Sequence, residues 1–182
     1  MILAIKSSIA LEKKPVKGTV MPTAEFDLNA LCEAVDAQRQ SRGLSWAQLE
    51  RELGVSATTL RGMRERGTAE GDGVLQVLRW LGRSPESFLR GGMVSAAEDE
   101  ALPAAPVSGM LRFDARAIYE ALEERRIEQG MTWRQVASVI GVASAASLTR
   151  LRKGGRVSFP EVMRVFAWLG RRAARFVRIT DR

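Results

Sequence analysis

The residues best suited to chemistry in this sequence are cations grouped in one short stretch. Arg150, Arg152, Lys153 and Arg156 fall within seven residues and directly follow Thr149. An arginine guanidinium can donate two parallel hydrogen bonds to guanine or to a phosphate, and lysine supplies a compact positive charge. These groups bind anions without breaking covalent bonds. The stretch predicts a nucleic-acid contact, with a solvated basic face as the alternative interpretation.

Composition argues against catalytic and metal-binding functions. The 182 residues include no histidine and one cysteine, Cys32, and the formal net charge is +7. The chain thus lacks the commonest general base and cannot build a thiolate cage for a metal. We therefore expect no enzyme activity, no cofactor and no metal site. The positive charge favours an anionic partner, either nucleic acid or a membrane surface.

The remaining global features concern location. No apolar run approaches the roughly 18 residues that a membrane span needs. The first residues also lack the charge order and long apolar core of an export signal. We expect a cytoplasmic, nucleoid-associated protein with no membrane partner.

Two helix starts and a tight turn precede and position the cationic stretch. Thr132 and Gln135 have the spacing of a capping box, in which each side chain satisfies a backbone N–H of the other residue. Gly141 supplies the left-handed conformation that ends a helix. Ser144 can then cap a second helix. A short helix, a turn and a second helix with small polar and basic residues outward is the arrangement used to read a DNA major groove.

The same plan occurs twice in the chain. An offset of 87 aligns the repeats from Phe26 to Val55, and one extra residue, Ala143, raises the offset to 88 for the remainder. The aligned pairs include Phe26/Phe113, Trp46/Trp133, Gly54/Gly141, Ser56/Ser144, Trp80/Trp168 and Phe88/Phe176. This duplication predicts two domains, each with its own small core, and Ala143 would change the angle at which the second helix is presented.

Composition shifts place the boundaries. Residues 1–25 carry four lysines and predict a mobile tail, with a DNA-reaching basic arm as the alternative and Met21 as an alternative start of translation. The first domain spans 26–90 and the second spans 113–182. Residues 91–112, rich in Gly, Ala, Pro and Ser, predict a flexible linker with an average span of roughly 26 Å. It would let the two heads reach half-sites one DNA turn apart.

Two segments carry a family resemblance. G-L-S-W-A-Q-L-E-R-E-L-G-V-S-A-T-T-L and G-M-T-W-R-Q-V-A-S-V-I-G-V-A-S-A-A-S-L-T-R-L-R-K-G, each followed by W-L-G, resemble the Cro/repressor-type, XRE-like helix-turn-helix family. The resemblance implies an all-α chain of two tandem five-helix, lambda-repressor-like domains joined by a flexible linker. It also implies a transcriptional regulator of double-stranded DNA, commonly a repressor, that places the third helix of each domain in the major groove.

Position by position, the resemblance assigns the contact residues. Those facing bases are Ala57, Thr58, Arg61 and Gly62 in the first repeat and Ala145, Ala146, Thr149 and Arg150 in the second. Apart from the resemblance, the charge and position of further polar residues lead us to expect phosphate contacts from Arg134, Gln135, Arg152, Lys153 and Arg156, with Gln48 and Arg64 as first-repeat counterparts.

The sequence departs from the family at two pairs of positions. Trp46 and Trp133 replace a Gln that often contacts phosphate, and we expect the indoles to pack at the helix starts. The family also often pairs an Arg of the first helix with a Glu of the third. Here Arg39 and Arg126 are aligned against Arg64 and Arg152.

Charge separates the repeats. From 26 to 90, nine arginines balance nine acidic residues, whereas 113–182 has thirteen arginines and one lysine against seven acidic residues. Because phosphate contacts provide most sequence-independent affinity, we expect the second repeat to be the main DNA-binding head. The neutral first repeat leaves an alternative open, namely a protein-interaction regulator (antitoxin, antirepressor or anti-activator) that binds a protein partner through it. Homodimerisation stays open as well.

Overall fold

The computed structural model describes residues 24–66, 69–91, 102–104, 109–156 and 158–181. The first repeat contains β1 (Glu25–Phe26), α1 (Leu28–Ser41), α2 (Trp46–Leu53), α3 (Ala57–Arg66), α4 (Gly71–Leu81), a 3₁₀ segment (Pro85–Phe88) and β2 (Leu89–Arg90). The second contains β3 (Gly109–Phe113), α5 (Ala115–Glu128), α6 (Trp133–Ile140), α7 (Ala145–Thr149), a 3₁₀ segment (Arg150–Lys153), α8 (Phe159–Leu169), a 3₁₀ segment (Ala173–Phe176) and β4 (Val177–Asp181). No helix in these ranges is long and apolar enough to cross a membrane.

The mostly helical class is confirmed, but the chain also forms two small sheets that the sequence did not predict. β1 pairs antiparallel with β2, and β3 pairs antiparallel with β4. Each pair brings the start of a repeat to its end. Strands of 2 and 5 residues are too short to show a reliable alternation of apolar and polar side chains.

The predicted caps are present in both repeats. The Ser45 backbone N–H donates to Gln48 Oε1 at 2.7 Å, and the Thr132 N–H donates to Gln135 Oε1 at 2.8 Å. The return hydrogen bonds to the Ser and Thr hydroxyl oxygens are both 3.3 Å. Gly54 and Gly141 end these helices at φ +66° and +74°, a conformation that costs other residues about 1–2 kcal/mol.

The third helices differ between the repeats although they span aligned positions. α3 is a continuous ten-residue α-helix, whereas its counterpart is the five-residue α7 followed by a 3₁₀ segment that ends at Gly154, φ +75°. Ser56 and Ser144 both accept a hydrogen bond from the backbone N–H three residues later. The extra Ala143 therefore leaves the cap in place, and the difference lies in the second half of the helix.

The buried residues of the two repeats form one continuous hydrophobic cluster, not the two cores that we expected. Phe159, which is fully buried, joins them. Its ring centroid lies 4.7 Å from that of Phe26 and 5.6 Å from that of Phe113. The seam between the repeats is thus an apolar packing surface.

The two repeats contribute equivalent elements to the seam. α4 of the first repeat packs against β3 of the second, while α8 of the second packs against β1 of the first. Glu70 and Ser158, which are aligned by the 88-residue offset, pair with each other in an isolated antiparallel bridge. Contacts in which each repeat offers the same surface to the other characterise a two-fold interface. The repeats are therefore related by an approximate internal two-fold axis near this bridge.

The ends of the predicted tail and linker belong to the folded body. Ala24 is buried and Glu25 lies in β1, while the tail residues before position 24 lie outside the described residues. Residues 109–112, assigned to the linker, form most of β3, where the buried Gln76 side chain donates to Leu111 O at 3.0 Å. Leu102 also packs against the core. The second repeat therefore begins before Phe113, and the linker ends earlier than we expected.

Candidate nucleic-acid interface

In each repeat, an arginine near the end of the first helix donates a hydrogen bond to the backbone just before the second helix. Arg39 binds Asp36 through Nε and Nη2 and donates from Nη1 to Leu44 O at 2.8 Å. Arg126 binds Glu123 in the same way and donates to Met131 O at 2.8 Å. These contacts precede the two capping boxes directly. Each arginine therefore binds an acidic residue of its own helix and not a residue of the third helix.

The same arginines cover the tryptophans at the helix starts. The Arg39 guanidinium lies 4.6 Å from the Trp46 ring centroid, and that of Arg126 lies 5.4 Å from the Trp133 centroid. Trp133 also stacks on Tyr119 at 5.4 Å. Trp46 nevertheless stays 45 % exposed. Both indoles have packing partners inside their own repeat, in agreement with the packing role that we expected.

The charged residues assigned to the third helix of the second repeat lie at the surface. Arg150, Arg152 and Lys153 are exposed. Residues three apart eclipse each other in a 3₁₀ helix, so the segment Arg150–Lys153 aligns its first and last side chains on one face. Leu151 is buried and anchors the segment to the core. The result is a fixed backbone that presents two cations together.

The small residues before this segment are less exposed. Ala146 is exposed, whereas Ala145 and Thr149 are half-buried. The Thr149 hydroxyl donates to Ala146 O at 3.4 Å, and Arg150 Nη2 lies 3.5 Å from Ser147 Oγ. Both contacts are long for hydrogen bonds. They leave the two side chains able to turn toward another acceptor.

Arg134 and Gln135, assigned to phosphates, are exposed at the start of α6. Gln135 Oε1 accepts hydrogen bonds from the Thr132 N–H and hydroxyl. These bonds fix the amide oxygen toward Thr132 and leave the amide nitrogen, which is the donor of the group, for a phosphate. Gln48 Oε1 accepts from Ser45 in the same way. The capping box orients both amides outward.

Arg156 lies apart from the other assigned cations. Its Nη1 forms an ion pair with Glu70 of the first repeat, at the edge of the seam. A phosphate would have to compete with that carboxylate for Arg156. The structure thus connects this residue to the joining of the repeats, a role that the sequence did not indicate.

In the first repeat, Thr58 and Arg61 are exposed and Gly62 is buried. The side chains of Ala57 and Arg64 lie outside the described part of the structure. Arg61 is thus the assigned cation of α3 whose exposure the structure describes. In the second repeat, Arg150, Arg152 and Lys153 are all exposed, so that segment presents a cluster of cations to an anionic partner.

The structure also assembles a charged cleft that the sequence did not reveal. It has a volume of about 130 Å³ and lies in the seam, next to the end of the 3₁₀ segment Arg150–Lys153. Its charged lining consists of Glu70, Asp72, Arg112, Arg156 and Arg178. Burial raises the pKa of the Asp72 carboxyl, against the opposing effect of Arg112. Two of these arginines meet only through the unpredicted pairing of β3 with β4.

The chain matches no protein-family model, and no curated protein and no solved structure is significantly similar to it.

Proposed function

We propose that this protein is a transcriptional regulator that binds specific sequences in double-stranded DNA and acts as a repressor. It would do so with two helix-turn-helix heads in one chain. The observation that supports this best is the duplicated unit of capped helix, left-handed glycine and capped helix, followed in the second repeat by exposed cations. The protein acts by occupying DNA, and the second repeat supplies most of the affinity because it carries the excess positive charge.

The reciprocal seam supports a particular arrangement of the heads. Because α4 packs on β3 and α8 packs on β1, the heads cannot move independently, as a flexible linker would allow. Two heads related by a two-fold axis read one duplex as an inverted repeat. We therefore propose an imperfect inverted repeat as the DNA site, bound by one chain. Its half-sites are unequal because the exposed Arg150 is aligned with Gly62, which is buried and has no side chain to contact a base.

The direct test is binding of the purified full-length chain to fragments of its own promoter region, followed by footprinting and a salt titration. We expect one protected site with internal inverted symmetry and an affinity that falls steeply with salt. Protection of no sequence, or an affinity indifferent to salt, would refute DNA regulation. A direct repeat would refute only the two-fold arrangement.

Point variants in each head can identify which heads touch DNA. Deleting the first repeat would not, because it would strip Phe26 and α4 from the apolar surface around Phe159. The exposed Thr58 and Arg61 should instead be replaced by Ala, in comparison with Thr149 and Arg150. If only the second pair matters for DNA, the first repeat is free to bind a protein partner, as the alternative function requires.

A further inference from the structure

The seam cleft contains a like-charge pair on neighbouring strands. Arg112 of β3 lies directly opposite Arg178 of β4 in the antiparallel register. Directly opposite residues point to the same face of a sheet with Cβ atoms about 5 Å apart, and like charges there are destabilising. Both side chains line the cleft. The pair therefore needs negative charge nearby.

The first repeat has an opposite-charge pair at the place where the second has two arginines. At the aligned positions, Glu25 lies opposite Arg90, so opposite charges face each other. Arg90 also forms an ion pair with Asp27. The second repeat thus has arginine where the first has glutamate, and a complementary pair has become a repulsive one.

The carboxylates of the cleft neutralise only part of this charge. Arg112 Nε lies 3.6 Å from Asp72 Oδ2, beyond hydrogen-bond distance. This Nε is shielded from solvent and has no hydrogen-bond partner among the described residues. Glu70 is paired with Arg156. Arg178 is exposed and belongs to none of the ion pairs within the described ranges.

We propose that this cleft binds a phosphate-type oxyanion between Arg112 and Arg178, with Arg156 at its rim. An oxyanion would accept from the exposed Arg178 guanidinium and would add negative charge beside Arg112, whose ion pair with Asp72 is long at 3.6 Å, so it would offset the repulsion between the two arginines. The cleft adjoins Gly154 and Gly155, at the end of the segment proposed to read DNA. The oxyanion can thus be a DNA-backbone phosphate or the phosphate of a free small molecule that connects the seam to the reading head.

Inorganic phosphate is the probe, and no DNA is needed for the first experiment. Relative to chloride at equal ionic strength, the thermal midpoint of the full chain should rise with phosphate, in proportion to the logarithm of its concentration once that exceeds the dissociation constant. Arg178→Glu places opposite charges across from each other, as in the first repeat but with the two signs exchanged. This variant should be more stable than wild type without phosphate and should bind phosphate about tenfold more weakly or worse. Arg116→Gln, an exposed charge loss on α5, is the control and should leave the phosphate effect intact.

No phosphate effect beyond that of chloride in the wild type, or an equal effect in wild type and Arg178→Glu, would overturn the site whatever the result of the DNA experiments. A second experiment identifies the source of the oxyanion. If a DNA phosphate fills the cleft, Arg178→Gln should lower the slope of log affinity against log salt by about 0.9, and phosphate should compete with DNA. If a free ligand fills it, that slope should stay unchanged and phosphate should bind the DNA complex.

Discussion

Glu86 of the first repeat accepts a hydrogen bond from the backbone N–H of Ala173 in the second, with an N–O distance of 2.7 Å. Ala173 begins a 3₁₀ segment and is fully buried. The N–H groups at a helix start have no acceptor within the helix, and this one has no access to water. One carboxylate therefore completes a helix in the other repeat and ties the two together.

Glu86→Ala should lower the free energy of unfolding by about 1–3 kcal/mol, because it leaves a buried donor without an acceptor. Urea denaturation of the full chain measures the loss. Glu86→Gln retains an oxygen acceptor and should lose less than the Ala variant. Equal stability of wild type and the Ala variant would show that the contact does not join the repeats.

Phe159→Ala should cost about 3–5 kcal/mol, the usual range for a buried Phe. Because the ring contacts Phe26 and Phe113, its removal should weaken the packing between the repeats. Phe159→Leu retains part of the buried apolar surface and should cost less. Because the core is continuous, the wild type should unfold in a single transition, with coincident curves from Trp fluorescence and far-ultraviolet circular dichroism. Two separated transitions in the wild type would mean that the repeats fold independently.

The two capping boxes should contribute separately. Ser45→Ala and Thr132→Ala should each cost about 1 kcal/mol. The residues lie in different repeats and share no hydrogen-bond partner, so the double variant should lose the sum of the two within about 0.5 kcal/mol. Chemical denaturation of the four proteins provides the comparison, and a strongly non-additive result would contradict independent caps.

Arg150 and Lys153 lie on one face but should act differently on DNA. Arg150→Ala should cost about 1–3 kcal/mol and relax specificity, as expected for an arginine on a base edge. Lys153→Ala should weaken binding to all sequences alike and lower the salt slope by about 0.9. Titrations of specific and scrambled DNA at several salt concentrations measure both. An equal loss of specificity would contradict the assignment of base and phosphate roles.

The free energy of unfolding should depend on pH through Asp72. Burial raises its pKa above the ordinary 3.8, with Arg112, Glu70 and Arg156 as the charged neighbours. The folded state then holds this proton more firmly than the unfolded state does. The resulting stabilisation is complete below the unfolded pKa and is lost as pH rises through the folded one.

Asp72→Asn should remove this dependence. The free energy of unfolding of wild type minus that of the variant should fall as pH rises through this window. Urea denaturation at a series of pH values measures it, and because the proteins differ at one residue, the other titrations cancel. A difference that rises with pH would show that Arg112 outweighs burial at Asp72.

The local features of this chain could be predicted from sequence because each depends on neighbours within a few residues. The Ser45–Gln48 and Thr132–Gln135 boxes and the left-handed Gly54 and Gly141 are of this kind, and all are present. The exposed position of Arg150 beside the buried Leu151 also follows from helical spacing. The sequence did not indicate, however, that Arg150–Lys153 would leave the α-helix and form a 3₁₀ segment.

The relation between the repeats was decided only in three dimensions. The pairing of β3 with β4 joins residues about 70 positions apart, and no short-range pattern specifies such a register. Phe159 replaces the aligned Gly71, and its ring fuses the two cores at a seam that neither repeat reveals alone. The sequence by itself therefore determined two capped helical units, a neutral one and a basic one. Packing of their apolar surfaces then fixed how they are joined and which arginines face one another across the cleft, because burial of distant side chains depends on the whole chain.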